Sequence, residues 1–160
     1  MASGKTTVGK ELAAQINYTF YDLDQLLEEA TGKTIGALFD MPEGKEFRIL
    51  EREMLLQTFL FSNAVIACGG GTPCFYDNME QMSKHGLAVW VRPDPELIID
   101  RLRKVKHSRP LLAEIPDEEL PKTVLNHYSS REPFYTMAPV HFNPEEETID
   151  GLVNLIKLHK

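Results

Sequence analysis

The sequence predicts an α/β fold in which helices cover both faces of a parallel β-sheet. Candidate strands and candidate helices alternate along the chain, which is the pattern that produces parallel sheets. Two candidate strands, 64–68 and 87–91, are apolar on both faces, as expected for strands that are covered on both sides. At 160 residues the chain can bury roughly 70% of its unfolded surface. We therefore predict one domain spanning residues 1–160.

Each predicted element follows from a local pattern. Apolar residues at helical spacing define the helices, and short apolar or aromatic runs define the strands. Gly32 fits the C-terminal cap of a helix, and Pro42 fits the first turn of the longest helix. Three prolines and many charges make 107–121 a surface excursion. The predicted strands are 18–23, 64–68, 87–91 and 140–142, and the predicted helices are 5–15, 24–30, 42–61, 94–104, 123–131 and 148–158.

Composition excludes several classes of protein. The net charge is −7, which disfavours a general nucleic-acid binder because such affinity depends on neutralising phosphates. The apolar runs are far shorter than the ~20 residues that span a bilayer. Cys68 and Cys74 are too few for a disulfide scaffold, although a disulfide or redox site between them stays an alternative. We expect a soluble cytoplasmic protein with no nucleic-acid partner, no membrane partner and no zinc site.

A phosphate-binding loop is predicted at the start of the chain. Gly4-Lys5-Thr6 matches the end of the G-x-x-x-x-G-K-[ST] motif and is followed by an amphipathic helix. The glycine lets backbone N–H groups approach phosphates, and the helix N-terminus favours an anion. Lys5 would reach the β- and γ-phosphates, and the Thr6 hydroxyl would hold Mg²⁺. A chance match of three residues is the alternative.

The motif is incomplete in this sequence. Met1 stands at the third position of the eight-residue motif, so the first glycine and the strand that normally feeds the loop are absent. That strand would lie in the middle of the sheet. We therefore expect this chain to be an N-terminally shortened version of a longer protein.

Carboxylates follow the first predicted strand. Asp22 and Asp24 share a face if the strand continues through them, and open α/β sheets bind ligands beyond the carboxyl ends of their strands. One carboxylate could support Mg²⁺ while the other accepts a hydroxyl proton. Asp24 could instead serve only as a helix N-cap.

Three further features are ambiguous when each is taken alone. The spacing of Arg48 and Glu51 favours an exposed pair on a helix surface. The triple glycine 69–71 suits either a close ligand contact or a flexible loop. Arg109 lies next to Pro110 in the charged excursion, where it is either part of a closing lid or a solvated arginine.

Taken together and in order, these motifs resemble the shikimate kinase family. The resemblance covers residues 1 to about 140 and rests on six motifs. They are Gly4-Lys5-Thr6, Asp22-x-Asp24, Phe47-Arg48-x-x-Glu51, Gly69-Gly70-Gly71, Arg109-Pro110-Leu111-Leu112 and Arg131-x-Pro133-x-Tyr135.

The resemblance implies a P-loop kinase fold with a central sheet of five parallel strands. It implies transfer of the γ-phosphoryl group of ATP to the 3-hydroxyl of shikimate, with Mg²⁺, in aromatic amino acid biosynthesis. It also implies a substrate-binding subdomain at 24–61, a lid at 107–121 and a monomeric enzyme. The implied catalytic residues are Lys5, Asp24 and Arg109. The implied ATP-binding residues are Ala2, Ser3, Gly4, Lys5, Thr6, Thr7 and Arg109. The implied substrate-binding residues are Asp24, Arg48, Gly69, Gly70, Gly71 and Arg131, and the implied metal-binding residues are Thr6 and Asp22.

Two other functions stay open at this point. A related P-loop kinase acting on another small metabolite, such as gluconate, would also use arginines to bind a carboxylate. An inactive fragment that only binds nucleotide is the non-enzyme alternative.

Overall fold

The structure is a computed structural model that describes residues 2–40, 45–105 and 115–159. Strands and helices alternate along these residues, as predicted. The strands are β1 (Thr19–Asp22), β2 (Ala64–Ala67), β3 (Val89–Val91) and β4 (Val140–Phe142). The helices are α1 (Lys5–Ile16), α2 (Leu23–Thr31), α3 (Ile35–Phe39), α4 (Lys45–Thr58), α5 (Asn78–His85), α6 (Pro95–Val105), α7 (Leu120–Tyr135) and α8 (Ile149–Leu158), with a 3₁₀ turn at Thr72–Cys74.

The strands pair in parallel, which confirms the predicted fold class. β1 lies beside β2 with Thr19 opposite Ala64, and β3 lies beside β4 with Val89 opposite Val140. In the described part of the chain, the strands form two separate pairs and not one continuous sheet. Four of the five strands implied by the resemblance are therefore present, and the sheet is interrupted between β2 and β3.

A cavity of about 890 Å³ lies at this interruption, and residues of both β2 and β3 line it. Helix α1 forms another wall through Val8, Gly9 and Leu12. Val8 and Leu12 also pack in a cluster with Val65 of β2 and Val89 of β3. Helix packing therefore connects the two strand pairs where strand-to-strand hydrogen bonds do not.

The remaining core is divided among three smaller clusters. One joins α6 to α7, one joins α2, α3 and α4, and one surrounds Trp90 of β3. The buried residues at the centres of these three clusters are, in the same order, Ile98, Ile99, Leu102, Leu120 and Val124; Leu27, Leu38 and Phe47; and Met79, Trp90 and Ala138.

Within the described ranges, no helix has both the length and the apolar character needed to cross a membrane.

Local sequence signals explain several boundaries. Gly32 ends α2 in the left-handed conformation, and its N–H donates to the Glu28 carbonyl, as predicted for a C-cap. Gly9 lets α1 lie close to β1, because a Cβ there would be only 2.7 Å from Cε2 of Phe20. Thr148 caps α8 by accepting a hydrogen bond from the N–H of Gly151.

Other boundaries differ from the predictions. Helix α4 ends at Thr58, and the predicted start at Pro42 lies outside the described residues. Helices α3 and α5 were not predicted, since one is only five residues long and the other is mostly polar. Helix α7 starts earlier than predicted because buried Leu120 packs against α6. It also continues through Pro133, near its C-terminus.

The first testable prediction concerns the α2–α4 cluster. Leu27 is buried at 1% exposure, so Leu27→Ala should lower the free energy of unfolding by about 2–5 kcal/mol through lost burial and a residual cavity. Leu60→Ala is the matched control, because Leu60 is 85% exposed. Urea denaturation measures both. Equal losses for the two variants would contradict the packing described for α2.

Candidate active site

The candidate site lies where the carboxyl ends of β1 and β2 meet the N-terminus of α1. The cavity between the strand pairs extends to this end of the molecule. Nine of the predicted site residues line it, and they come from four separate segments of the chain. They are Ala2, Ser3, Gly4, Lys5 and Thr6 of the phosphate loop, and Asp24, Gly69, Gly70 and Arg131.

The loop that precedes α1 contacts α6 and ends in the glycine that caps α1. Gly4 is the N-cap of α1 and has a φ of 85°, a left-handed conformation that favours glycine. The carbonyl of Ala2 accepts a hydrogen bond from Nη1 of Arg101 at 3.2 Å, which fixes the loop against α6. The first turn of α1 contains no acidic residue, so its free N–H groups are available to an anion.

The predicted ATP-binding residues of this loop do not all face the cavity. Ala2, Ser3, Gly4, Lys5 and Thr6 line it. Thr7 is exposed and is not part of the wall. Contact of these residues with ATP stays a prediction.

Asp22 links the end of β1 to the phosphate loop. Its Oδ2 accepts a hydrogen bond from the Thr6 hydroxyl at 3.3 Å, and its Oδ1 accepts one from the N–H of Asp24 at 3.1 Å. Asp22 is therefore the N-cap of α2, and the suggested capping role of Asp24 is wrong. The strand alternation expected to place both carboxylates on one face is also wrong, because Asp24 already lies in α2.

The carboxyl group of Asp24 has an environment that favours proton uptake. Burial raises its pKa above the ordinary value of 3.8, and the nearby carboxylates of Asp22 and Glu51 raise it further. The ammonium group of Lys5 opposes this shift. A carboxylate with a raised pKa is a stronger base, and such groups occur frequently at functional sites.

The Arg48 guanidinium is fixed in place by a buried ion pair and by aromatic rings. Its Nη1 donates to Oε2 of Glu51 at 2.6 Å, and only 14% of the Arg48 side chain is exposed. The guanidinium carbon lies 4.1 Å from the ring centroid of Phe75 and 4.8 Å from that of Phe47. The exposed surface pair favoured by spacing alone is therefore wrong, because the packing around α4 buries both partners.

Arg131 approaches the site from α7. Its Nη2 lies 3.3 Å from Nδ1 of His127, one helical turn earlier. Burial and the Arg131 charge lower the pKa of His127, so its neutral ring can accept a hydrogen bond from Arg131. The thiol of Cys74 experiences the charges of both Arg131 and Arg48, so the two arginines flank this part of the site.

The triple glycine makes room for side chains of this chain. A Cβ on Gly71 would lie 2.8 Å from Nη2 of Arg48, and a Cβ on Gly69 would lie 3.2 Å from Oε1 of Glu51. The carbonyl of Gly70 accepts a hydrogen bond from the Tyr135 hydroxyl at 2.5 Å. The turn is therefore packed against α4 and hydrogen-bonded to α7, which favours a close ligand contact over a flexible loop.

Neither the cysteines nor a cluster of acidic or histidine side chains adds a second kind of site in the part of the chain that the structure describes. Cys68 and Cys74 are free, so the disulfide alternative is wrong, and burial raises the pKa of Cys68 to about 12. Within the described residues, no cluster of three or more His, Cys, Asp or Glu side chains could hold a metal ion. Thr6 and Asp22 nevertheless place a hydroxyl and a carboxylate side by side at the phosphate loop. This oxygen pair fits Mg²⁺, which commonly takes few protein ligands and completes its shell with phosphates and water.

One predicted part of the site lies outside the described residues, and several residues near the site were not predicted. Arg109, and most of the predicted lid at 107–121, lies outside the described residues, so its role stays a prediction. Sequence reasoning missed the contact between His127 and Arg131, although their spacing of four in a helix could have indicated it. It also missed Thr72 and Asn78, which lie buried behind the triple glycine and carry no sequence signal of their own.

Comparisons with known proteins show the family of this chain. The family model described as "Shikimate kinase" matches residues 1–157. The chain is 44% identical to a shikimate kinase of Bacteroides thetaiotaomicron over 146 residues, covering 91% of this chain and 83% of that protein.

Two solved structures have the same fold. The crystal structure of shikimate kinase from Bacteroides thetaiotaomicron superimposes with a TM-score of 0.89 at 41% identity, covering 99% of this chain and 93% of that one. The structure of shikimate kinase from Acinetobacter baumannii in complex with shikimate gives a TM-score of 0.87 at 28% identity, covering 100% and 90%. By the family model and by its relatives, this chain belongs to the shikimate kinase family.

Proposed function

We propose that this chain transfers the γ-phosphoryl group of ATP to the 3-hydroxyl of shikimate, giving ADP and shikimate 3-phosphate. The observation that carries this proposal is that Arg131 and the half-buried carboxyl group of Asp24 line the same cavity as the phosphate loop, while Arg48 lies against Gly71 of the adjoining turn. The arginines suit a small carboxylic acid, and the carboxyl group suits a hydroxyl. A solved member of the family was determined in complex with shikimate, which supports the same substrate.

Arg48 and Arg131 are proposed to bind the carboxylate of shikimate. A planar guanidinium group can donate two parallel hydrogen bonds to a carboxylate. Arg48 is held rigidly by Glu51 and by aromatic rings, so little side-chain entropy is lost on binding. The substrate carboxylate would thereby fix the position of the ring and of its 3-hydroxyl.

Asp24 is proposed to accept the proton of the 3-hydroxyl as the oxygen attacks the γ-phosphorus. Its raised pKa makes it a better base than an ordinary aspartate. The proton moves to the Asp24 carboxylate, and ADP leaves as the bond to the transferred phosphoryl group breaks. Lys5 lies close enough to lower the pKa of Asp24, and both line the same cavity. ATP bound at Lys5 and shikimate bound at Asp24 would therefore be neighbours.

The phosphate groups of ATP are proposed to bind at the N-terminus of α1. Lys5 and the free backbone N–H groups of residues 3–6 would balance negative charge on the phosphate oxygens. Thr6 and Asp22 would hold Mg²⁺, which supplies positive charge to the phosphates when bound. Arg109 is proposed to add a second cation there.

Three organisational proposals accompany this function. Residues 24–61, which include Asp24 and Arg48, would form the substrate-binding part of the domain. The enzyme would act as a monomer, as the family resemblance implies. Its acidic composition and its two free cysteines suit the cytoplasm.

An ADP-release assay tests the proposed reaction. With shikimate as acceptor we expect turnover in the ordinary range of enzymes, about 1–10³ s⁻¹. Gluconate is the matched competitor because it also carries a carboxylate and hydroxyl groups, and it should react far more slowly. Turnover with gluconate but not with shikimate would favour the other small-metabolite kinase. Nucleotide binding without turnover on either acceptor would favour an inactive nucleotide-binding chain.

Arg131→Ala tests the carboxylate contact. The variant should weaken shikimate binding by about 2–5 kcal/mol, because it leaves a desolvated carboxylate short of one partner. ATP affinity should hardly change. Calorimetric titration with each ligand separates the two effects, and Lys157→Ala removes an exposed cation outside the cavity wall as the control. An equal loss of ATP affinity would show that Arg131 contacts the nucleotide.

Asp24→Asn tests the carboxyl group in two ways. Turnover should fall by roughly 10²–10⁴-fold, the usual contribution of a positioned base. The melting temperature at pH 7 should rise, because a carboxyl whose pKa is raised on folding destabilises the folded state wherever it is ionised.

The size of that gain depends on pH. Below the ordinary pKa of 3.8 the group is protonated in both folded and unfolded protein, so the advantage of Asn should disappear there. Asp100→Asn is the control, since the Asp100 side chain is 62% exposed. Melting curves at pH 7 and near pH 3 make the comparison. A variant that is less stable than the parent at pH 7 would contradict the burial argument.

A further inference from the structure

A chain of buried polar groups runs behind Arg48 and connects α4, the 3₁₀ turn and α5. We propose that Thr72 and Asn78 are positioning residues: they hold the Glu51 carboxylate, and through it Arg48, in the orientation that binds the substrate carboxylate. This inference rests on the proposed function, because it concerns the residue to which the substrate carboxylate is assigned. Thr72 and Asn78 are both fully buried, so any effect on substrate must pass through other residues.

The two oxygens of Glu51 have different partners. Oε1 accepts a hydrogen bond from the Thr72 hydroxyl at 2.6 Å, and Oε2 accepts one from Nη1 of Arg48 at 2.6 Å. Glu51 is 1% exposed and Thr72 is fully buried. Because one oxygen is held by Thr72, the carboxylate cannot rotate to offer both oxygens to Arg48.

Asn78 holds Thr72 from the other side. Its amide nitrogen donates to the Thr72 carbonyl at 2.8 Å, and its amide oxygen accepts from Nη1 of Arg52 at 2.8 Å. Arg52 in turn forms an ion pair with Asp77. The chain of contacts therefore begins at the partly exposed Arg52–Asp77 pair and ends at the buried Glu51.

The position of Thr72 ties this network to the triple glycine. Its N–H donates to the Gly69 carbonyl at 3.1 Å, and its hydroxyl reaches Glu51 on α4. The network thus fixes the distance between the glycine turn and the helix that carries Arg48. Nη2 of Arg48 lies so close to Gly71 that a Cβ on that glycine would be 2.8 Å away. The position of the guanidinium therefore depends on the position of the glycine turn.

Loss of the Thr72 hydroxyl should allow the Glu51 carboxylate to rotate. The Oε1 atom of Glu51 would lose its donor while staying buried, which is costly for an ionised group. Rotation of the carboxylate toward Arg48 would recover a second hydrogen bond. That rotation would also draw the guanidinium toward Glu51 and away from a bound substrate carboxylate.

The test is steady-state kinetics on Thr72→Val, which keeps the shape of the side chain and removes the hydroxyl. We expect the KM for shikimate to rise about tenfold or more, as for the loss of one hydrogen bond to a buried charge. The KM for ATP should stay within about twofold, the scatter of unrelated substitutions. Thr72→Ser restores the hydroxyl and should return the KM for shikimate to near the parent value.

Thr31→Val is the matched control. Thr31 is half-buried and lies outside the cavity wall, and its hydroxyl donates to the Leu27 carbonyl at 2.7 Å and not to Glu51. This variant should lose stability without a selective change in the KM for shikimate. If Thr72→Val does not fold, Thr72→Ala decides instead, because it also removes the hydroxyl that donates to Glu51 and should raise the KM for shikimate without raising that for ATP.

The outcomes separate this inference from the proposed function. A parent enzyme that turns over shikimate, with a Thr72→Val variant whose KM for shikimate is unchanged or rises no more than that for ATP, would overturn the positioning role alone. Failure of Thr72→Ser to restore the KM would overturn it as well. A parent enzyme with no shikimate turnover would overturn the proposed function and this inference with it.

Discussion

The buried ion pair between Arg48 and Glu51 is the interaction on which the rest of the site depends. Removing two charges from water is costly, and a buried pair is stable only if the remaining oxygens and protons also find partners. Here Thr72 satisfies the second oxygen of Glu51, while aromatic rings cover the guanidinium. The glycines at 69 and 71 leave the space that these charges occupy. The absence of side chains in the turn is therefore a packing requirement of the ion pair.

A second constraint is the concentration of carboxyl groups beside one lysine. Asp22, Asp24 and Glu51 lie close enough for the first and the last to raise the pKa of the second. Each is held by a different means: Asp22 caps α2, Glu51 is paired with Arg48, and Asp24 faces the cavity. Asp24 thus carries the least compensated charge of the three, which is a cost in stability at neutral pH and a requirement for a base.

The sequence predicted the parts of this structure that depend on local signals. Parallel pairing followed from apolar strand runs, the α2 boundary from Gly32, and the phosphate loop from Gly4-Lys5-Thr6. Features that depend on tertiary packing could not be read in the same way. Arg48 and Glu51 are three residues apart in a helix, and this spacing fits an exposed pair as well as a buried one. It is the packing around them that removes the pair from solvent. The partners Thr72 and Asn78 are polar residues in a turn and at a helix start, where the same residue types are usually solvated.

The hydrogen bond between α7 and the triple glycine has a consequence for the spacing of the two arginines. The Tyr135 hydroxyl donates to the Gly70 carbonyl, and Arg131 lies one turn earlier on the same helix. On the other side of the turn, a Cβ on Gly71 would lie 2.8 Å from Nη2 of Arg48. The turn is therefore a spacer between the two cations, and it would set the size of the acid that fits between them.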